Sequence, residues 1–281
     1  MQPSPTAEAA LPLTENERAA ALSFLRERPI QTVIMASWLN DHRFANEQGC
    51  GTFYQARDSA GQIAGVALIG RNTTFEARSD EAIRAFAYAA RTHKNIKMVF
   101  GETGQLSEFW RHYAPSGLRH RSETTQLLFE VHERPEREEP GFDLRPAEMK
   151  ELGEVTKAHA AMVFDETGTD PLTSDAEGFH SRCAGRIDQG RVWVHMAAGR
   201  LLFKADVVSD TPQAKYLEGL WVDPEFRGLG VARRCLSNLC RRLLNGSNAV
   251  CAFVESKNTR AQSLYFKNGF LLVDLYRKFY I

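Results

Sequence analysis

Leu217-Glu218-Gly219-Leu220-Trp221-Val222-Asp223-Pro224-Glu225-Phe226-Arg227-Gly228-Leu229-Gly230-Val231-Ala232 is the stretch on which the reading of this chain turns. Tyr216 to Val222 predict a strand, Pro224 breaks it into a turn, and a glycine-bearing loop leads to a helix. Val231, Cys235, Leu236, Leu239 and Leu243 recur at the spacing of one buried helix face. Glycines between a strand and a helix start let backbone N–H groups approach an anion with no Cβ in the way. The helix N-terminus adds partial positive charge. The loop is therefore a candidate phosphate cradle, although two glycines at such a junction also serve packing alone.

Two phosphate-loop designs fit these letters poorly. A P-loop needs Lys-Ser or Lys-Thr after its glycines, and none follows here. A dinucleotide fingerprint finds Gly228-x-Gly230 before a helix and Glu255 at the end of the next strand. Its third glycine position, however, holds Arg233, and a Pro-containing turn separates the strand from the first glycine.

Arg227-Gly228-Leu229-Gly230-Val231-Ala232 instead resembles the acyl-CoA loop of the GNAT N-acetyltransferases, Arg/Gln-x-x-Gly-x-Gly/Ala, at every fixed place. A second stretch, Asn258-Thr259-Arg260-Ala261-Gln262-Ser263-Leu264-Tyr265-Phe266-Lys267-Asn268-Gly269-Phe270, is similar to the family's Asn-x-x-Ala-x-x-Leu-Tyr-x-x-x-Gly-Phe segment. The two motifs stand in the family's order, separated by a helix and a strand. The close match covers residues 215–281 and a looser one reaches back to Phe142.

Outward from these motifs, 281 residues allow one or two domains. Composition is that of a globular protein, 43% hydrophobic and 25% charged. Lys+Arg 35 against Asp+Glu 35 argues against a broad nucleic-acid or anionic-membrane surface. Met1 to Leu13 carries no basic n-region with a sustained apolar core, so no signal peptide is expected, nor any membrane span. The five cysteines, Cys50, Cys183, Cys235, Cys240 and Cys251, lack paired metal spacing and read as reduced packing residues of a cytoplasmic protein. No metal is expected.

Thr14 with Glu17 predicts a capping box opening a helix that Pro29 ends, and a second helix is expected over Gln31 to His42. Strands follow at Thr52–Ala56, Ile63–Ile69 and Thr73–Ala77, then a helix Asp80–His93, a strand Lys97–Phe100, a helix Gln105–Tyr113 and a strand Thr124–Val131. His132 to Gly141 is charged, contains prolines and reads as a linker. The order then restarts: strand Phe142–Arg145, helix Ala147–Ala161, helix Ser174–Arg186, and strands Arg191–Ala197, Leu201–Val208 and Lys215–Val222. The expected fold class is α/β (α+β), two GNAT-like domains in tandem, each a mixed, mostly antiparallel twisted sheet flanked by helices. Residues 1–135 form a degenerate copy, because Arg78-Ser79-Asp80 stands where a cofactor loop would follow its third strand. Residues 136–281 form the copy with the loop. The first copy is expected to cover the acceptor or to pack, as monomer or homodimer, and to bind no cofactor.

The resemblance implies direct attack of an amine on an acyl thioester, with acetyl-CoA as co-substrate. Backbone amides of Arg227, Gly228, Leu229, Gly230, Val231 and Ala232 would hold the pyrophosphate. The main chain of Leu220, Trp221 and Val222 would pair with the pantetheine arm, and Asn258 would reach CoA from the next loop. Tyr265 occupies the place of the proton donor to the leaving thiolate; a packing tyrosine is the alternative. On the acceptor side Glu218, with Tyr216 on its face by alternation, is a candidate base, unless Gly219 marks a bulge that upsets the count. Asp165, Glu166 and Asp170 form an acidic loop where the family often recognises its acceptor, a small-molecule or peptide amine. His195, with Trp193, is a further candidate. The competing readings are a non-catalytic acyl-CoA-binding regulatory module and a protein or peptide N-acetyltransferase.

Overall fold

A computed structural model of the chain describes residues 9–40, 51–115 and 118–281. Cys50, the first eight residues of the N-terminal reading and the last two of the expected helix Gln31–His42 lie outside the described residues.

In chain order the elements begin with β1 (Leu11–Pro12), α1 (Arg18–Leu25), α2 (Val33–Asn40), β2 (Thr52–Arg57), β3 (Ile63–Ile69) and β4 (Asn72–Ala77). They continue with α3 (Asp80–Arg91), β5 (Met98–Glu102), α4 (Thr103–Tyr113), β6 (Ser122–Val131) and β7 (Leu144–Pro146). Next come α5 (Leu152–Thr167), α6 (Pro171–Ser174), α7 (Ala176–Asp188), β8 (Val192–Ala197), β9 (Arg200–Asp210) and β10 (Lys215–Val222). The chain closes with α8 (Val231–Leu243), β11 (Val250–Glu255), α9 (Thr259–Lys267) and β12 (Leu271–Tyr280). Most of these bounds fall within two residues of the expected ones. The exceptions have local causes. The helix expected at Ala147 begins as a 3-10 turn at Met149–Glu151 and runs on to Thr167, because Gly168 supplies the left-handed stop (φ 70°).

The chain falls into two compact units, one of Met1–Leu128, Val254–Asn258 and Leu272–Ile281, the other of Phe129–Phe253 and Thr259–Leu271. This division differs from residues 1–135 and 136–281. No strand was expected after Phe270, yet β12 joins the first unit and pairs antiparallel with β5, Tyr276 opposite Glu102 through Tyr280 opposite Met98.

In the first unit the strands run β1-β2-β3-β4-β5-β12-β6. Strand alternation sorts β3 between two cores: Val66 and Leu68 pack with Leu22, Leu25, Met35 and Leu39 of α1 and α2, whereas Ala67 and Ile69 pack with Phe86 and Phe109 of α3 and α4. Phe279 of β12 belongs to the second of these cores. The Thr14–Glu17 capping box is present, with Thr14 N–H donating to Glu17 Oε2 at 3.0 Å.

In the second unit the order is β11-β10-β9-β8-β7. Val155 and Ala158 of α5 and Ile187 of α7 pack on Val192, Val194 and Leu201. The buried face of α8 is the expected one: Val231, Cys235, Leu236, Leu239 and Leu243. The linker is tied along α8 by polar contacts: Arg241 donates to the Pro135 and Glu136 carbonyls at 2.7 and 2.9 Å, and Asn238 donates to Glu139 and Phe142 carbonyls. Both units repeat one pattern, an antiparallel pair (β3–β4, β9–β10) followed by a parallel step (β4–β5, β10–β11).

Candidate functional site

β10 is bulged where the sequence carries its glycine. Glu218 pairs with Asp206 and Trp221 with Lys204, so Gly219 and Leu220 together oppose Ala205 alone. Gly219 takes φ +63°, a left-handed value that glycine adopts without strain. On the other side, the parallel ladder covers Lys215–Leu217 against Val250–Ala252 and goes no further. Leu220 to Val222 therefore leave the ladder just before the loop. The half-buried side chain of Trp221 packs on the α5–α7 core.

The loop is held open from both ends. Asp223, 5% exposed, accepts from Glu225 N–H at 3.1 Å and from Arg200 at 2.9 Å, and Arg200 holds its carboxyl below the usual range. Arg227 Nε donates to the Val222 carbonyl at 3.1 Å. Gly230 is the residue before α8, with φ +82° and no side chain to cap the helix. The first α8 bond is Arg234 N–H to the Gly230 carbonyl, so the amides of Val231, Ala232 and Arg233 precede the helical ladder. A Cβ at Gly228 would meet nothing within 4 Å, and Leu229 is 65% exposed. An exposed, uncapped helix start with basic neighbours suits an anion.

Tyr265 lies inside α9, 5% exposed, stacked on Phe129 at 5.8 Å and edge-on to Phe270 at 4.9 Å. Phe270 reaches it because α9 stops at Asn268-Gly269, with Phe270 N–H donating back to the Tyr265 carbonyl. Burial, with the thiols of Cys240 and Cys251 nearby, pushes the Tyr265 phenol up. Tyr216 is buried and its phenol is raised well above the ordinary value by burial and by Glu218, to which it hydrogen-bonds. Glu218 itself is exposed. The Gly219 bulge falls after Glu218, and the register shift between Tyr216 and Leu217 puts its extra residue on β9, so the alternation of β10 is kept and Tyr216 and Glu218 still meet. Cys235 and Cys240 are pushed up to about 12 by burial, which keeps them as packing thiols.

The remaining acceptor-side candidates are not gathered here. Asp165 and Glu166 are exposed on the last turn of α5, and Asp170 caps α6 by accepting from Leu172 N–H at 2.9 Å; the expected acidic loop is two helix ends. His195 is buried in β8, two strands from β10, with Nδ1 3.2 Å from the Asp143 carbonyl and its ring on Phe142. Trp193 pairs with Ala205 in the same ladder. Asn258 stands just before α9 and its N–H donates to the Glu255 carbonyl at 2.8 Å. Among the described residues no three His, Cys, Asp or Glu side chains converge as a metal site, and no helix is long and apolar enough to cross a membrane.

The sequence reading missed a charged cluster against the bulge. Lys204 and Asp206, each 1% exposed, pair at 2.7 Å, and Arg186 of α7 reaches Asp206 at 3.0 Å. Lys204 Nζ also donates to the Gly219 carbonyl at 3.3 Å. His159 of α5 stacks on Phe179, and burial, aided by Lys204, lowers it to about 4. The signal was available: Lys204 and Asp206 are opposite charges two apart in an otherwise apolar run, Leu201 to Val208.

The corresponding place in the first unit is closed. Ser79 caps α3 by accepting from Ala82 N–H at 3.2 Å, and Asp80 and Glu81 follow in the first turn. Arg28 bridges Glu76 of β4, Glu102 of β5 and Asp274 of β12 at 3.0, 3.0 and 3.2 Å.

Residues 163–270 match the model of the Acetyltransferase (GNAT) family. This part of the chain is a GNAT domain, and the whole has the fold of tandem GNAT proteins. A Drosophila protein is 12% identical with a TM-score of 0.69, covering 98% of this chain and 99% of its own. A GNAT-family acetyltransferase from Colwellia psychrerythraea is 13% identical with a TM-score of 0.59, over 97% and 99%. A tandem GNAT protein from the clavulanic acid biosynthesis pathway is 14% identical with a TM-score of 0.58, over 96% and 97%. No curated protein matches the chain.

Proposed function

We propose that this chain is an acyl-CoA-dependent N-acyltransferase that uses acetyl-CoA and passes the acyl group directly to an amine. The observation that carries the reading is the run from the β10 bulge through Gly228 and Gly230 to the uncapped start of α8. Amides of Arg227 to Ala232 would take the pyrophosphate, and the main chain of Leu220, Trp221 and Val222 would pair with the pantetheine amides as an added strand. Asn258 would contribute from the neighbouring loop.

The amine nitrogen attacks the thioester carbonyl, forming C–N while C–S breaks and its electrons leave on sulfur. The proton lost by the ammonium passes to Glu218, or to water beside it, with Tyr216 holding that carboxylate. A buried phenol with a raised pKa is a poorer acid, so Tyr265 stabilises the thiolate by a hydrogen bond more than by full proton transfer. The first unit binds no cofactor: Ser79 already satisfies its helix start, two carboxylates repel an anion there, and Arg28 spans its strands.

CoA release by the full chain over a panel of small amines and peptides tests the reading. Turnover with a subset of amines, and one CoA bound per chain by calorimetry, is the expected result. Binding without turnover would make the chain a regulatory acyl-CoA module; two CoA per chain would refute the closed first unit.

A further inference from the structure

We propose that Lys204 is a positioning residue of the acyl-donor site: it holds the β10 bulge in the conformation that offers Leu220 to Val222 to the cofactor. The inference rests on the donor-site reading above. It starts from a burial that stability alone does not explain. Lys204 and Asp206 are each 1% exposed. A buried ion pair is often no more stabilising than apolar residues of the same volume. Leu201, Leu202, Phe203, Ala205, Val207 and Val208 flank the pair in this strand.

The pair sits at the second of the two places where β9 and β10 lose register, the one that carries Gly219. Lys204 faces Trp221 and Asp206 faces Glu218, the two ladder positions that bracket the bulge. Lys204 spends its charge on Asp206 Oδ1 at 2.7 Å and donates to the Gly219 carbonyl at 3.3 Å. That carbonyl belongs to the extra residue, which the ladder leaves without a strand partner. A side chain at Gly219 would press on this pair: a Cβ would lie 3.0 Å from Asp206 Oδ2 and 3.1 Å from Lys204 Nζ. Arg186 anchors the carboxylate from α7 at 3.0 Å. The chain therefore has a donor fixed by two elements, aimed at the carbonyl whose direction sets how the next three residues leave the strand. The parallel ladder with β11 ends at Leu217, two residues earlier, so neither ladder of β10 pairs Gly219.

Lys204→Met removes the donor and keeps the stem, and Lys204→Gln removes the charge but keeps an N–H donor. Arg186 still pairs with Asp206 in both, so neither variant strands a buried carboxylate. Calorimetry with CoA on the full chain is expected to show Lys204→Met weakened about 10-fold or more, the effect of losing one hydrogen bond from a charged donor. Lys204→Gln should recover most of that loss. Thermal stability should be alike in the two variants, since both lose the same ion pair. Equal CoA affinity in wild type and Lys204→Met would overturn the inference and leave the donor site standing. Equal weakening in both variants would assign the effect to charge or folding and overturn it too. Failure of the wild type to bind CoA would sink the donor site and the inference together. Should Lys204→Met not fold, wild-type affinity in a folded Gly219→Ala, which strains the same bulge, would count against the proposal.

Discussion

Tyr265 and His159 illustrate how burial sets the chemistry of single residues. The Tyr265 ring is held by Phe129 and Phe270, so Tyr265→Phe removes a hydroxyl and little packing. If that hydroxyl bonds the leaving thiolate, kcat should fall roughly 10- to 100-fold, one charge-assisted hydrogen bond, with CoA affinity nearly intact. Wild-type kcat in this variant would assign the tyrosine to packing. His159 makes a pH prediction. Burial lowers it from 6.5 to about 4, so between those values the unfolded chain binds a proton that the folded chain does not. Its contribution to stability is complete above about 6.5 and is lost as pH falls toward about 4. His159→Phe, which keeps the stack on Phe179, should flatten the fall of Tm over that window. An unchanged pH profile would place the acid-sensitive group elsewhere.

Among elements, α8 and α3 start alike in topology and oppositely in chemistry. Each follows the strand that enters a parallel step. α3 opens Ser79-Asp80-Glu81 and satisfies its own amides; α8 opens Gly230-Val231-Ala232-Arg233 and does not. Gly230→Glu would add a side chain at φ +82° and a negative charge at the proposed pyrophosphate site. Calorimetry should find acetyl-CoA binding abolished, whereas Gly230→Ala, which adds the strain but no charge, should retain measurable affinity. Unchanged affinity in the glutamate variant would move the phosphate site off this helix.

At the scale of the molecule, the chain leaves the first unit at Leu128 and returns to it twice, for Val254–Asn258 and for Leu272–Ile281. Removing residues 1–135 would therefore take β5 from beside β12 instead of detaching an intact domain. Phe279 is 3% exposed, stacked on His120 at 4.3 Å and edge-on to Trp110 at 5.4 Å. Phe279→Ala should cost about 3–5 kcal/mol of stability in denaturant unfolding, as a buried aromatic lost to a cavity. A loss within about 0.5 kcal/mol, the range of surface changes, would mean that β12 does not hold this unit together.

Local letters were enough for much of this. Helix faces such as Val231 to Leu243, the capping box at Thr14, the glycine loop and the Asn258-to-Phe270 segment are read from neighbours in sequence, because caps, turns and helix periodicity depend on residues a few places apart. Hence the two motifs, the tandem order and the doubt over Gly219 were all legible. Other facts depend on which distant strand lies alongside. The alternation of β12 does not say that it enters the first unit beside β5, since any open edge satisfies the same pattern. Lys204 and Asp206 looked like two charges in a strand until Gly219, thirteen or more residues on, placed a carbonyl against them. His195 became a satisfied sheet histidine only once Asp143 was beside it. Backbone propensity is local, but hydrogen-bond partners of buried groups are set by tertiary packing, and these only the folded structure decided.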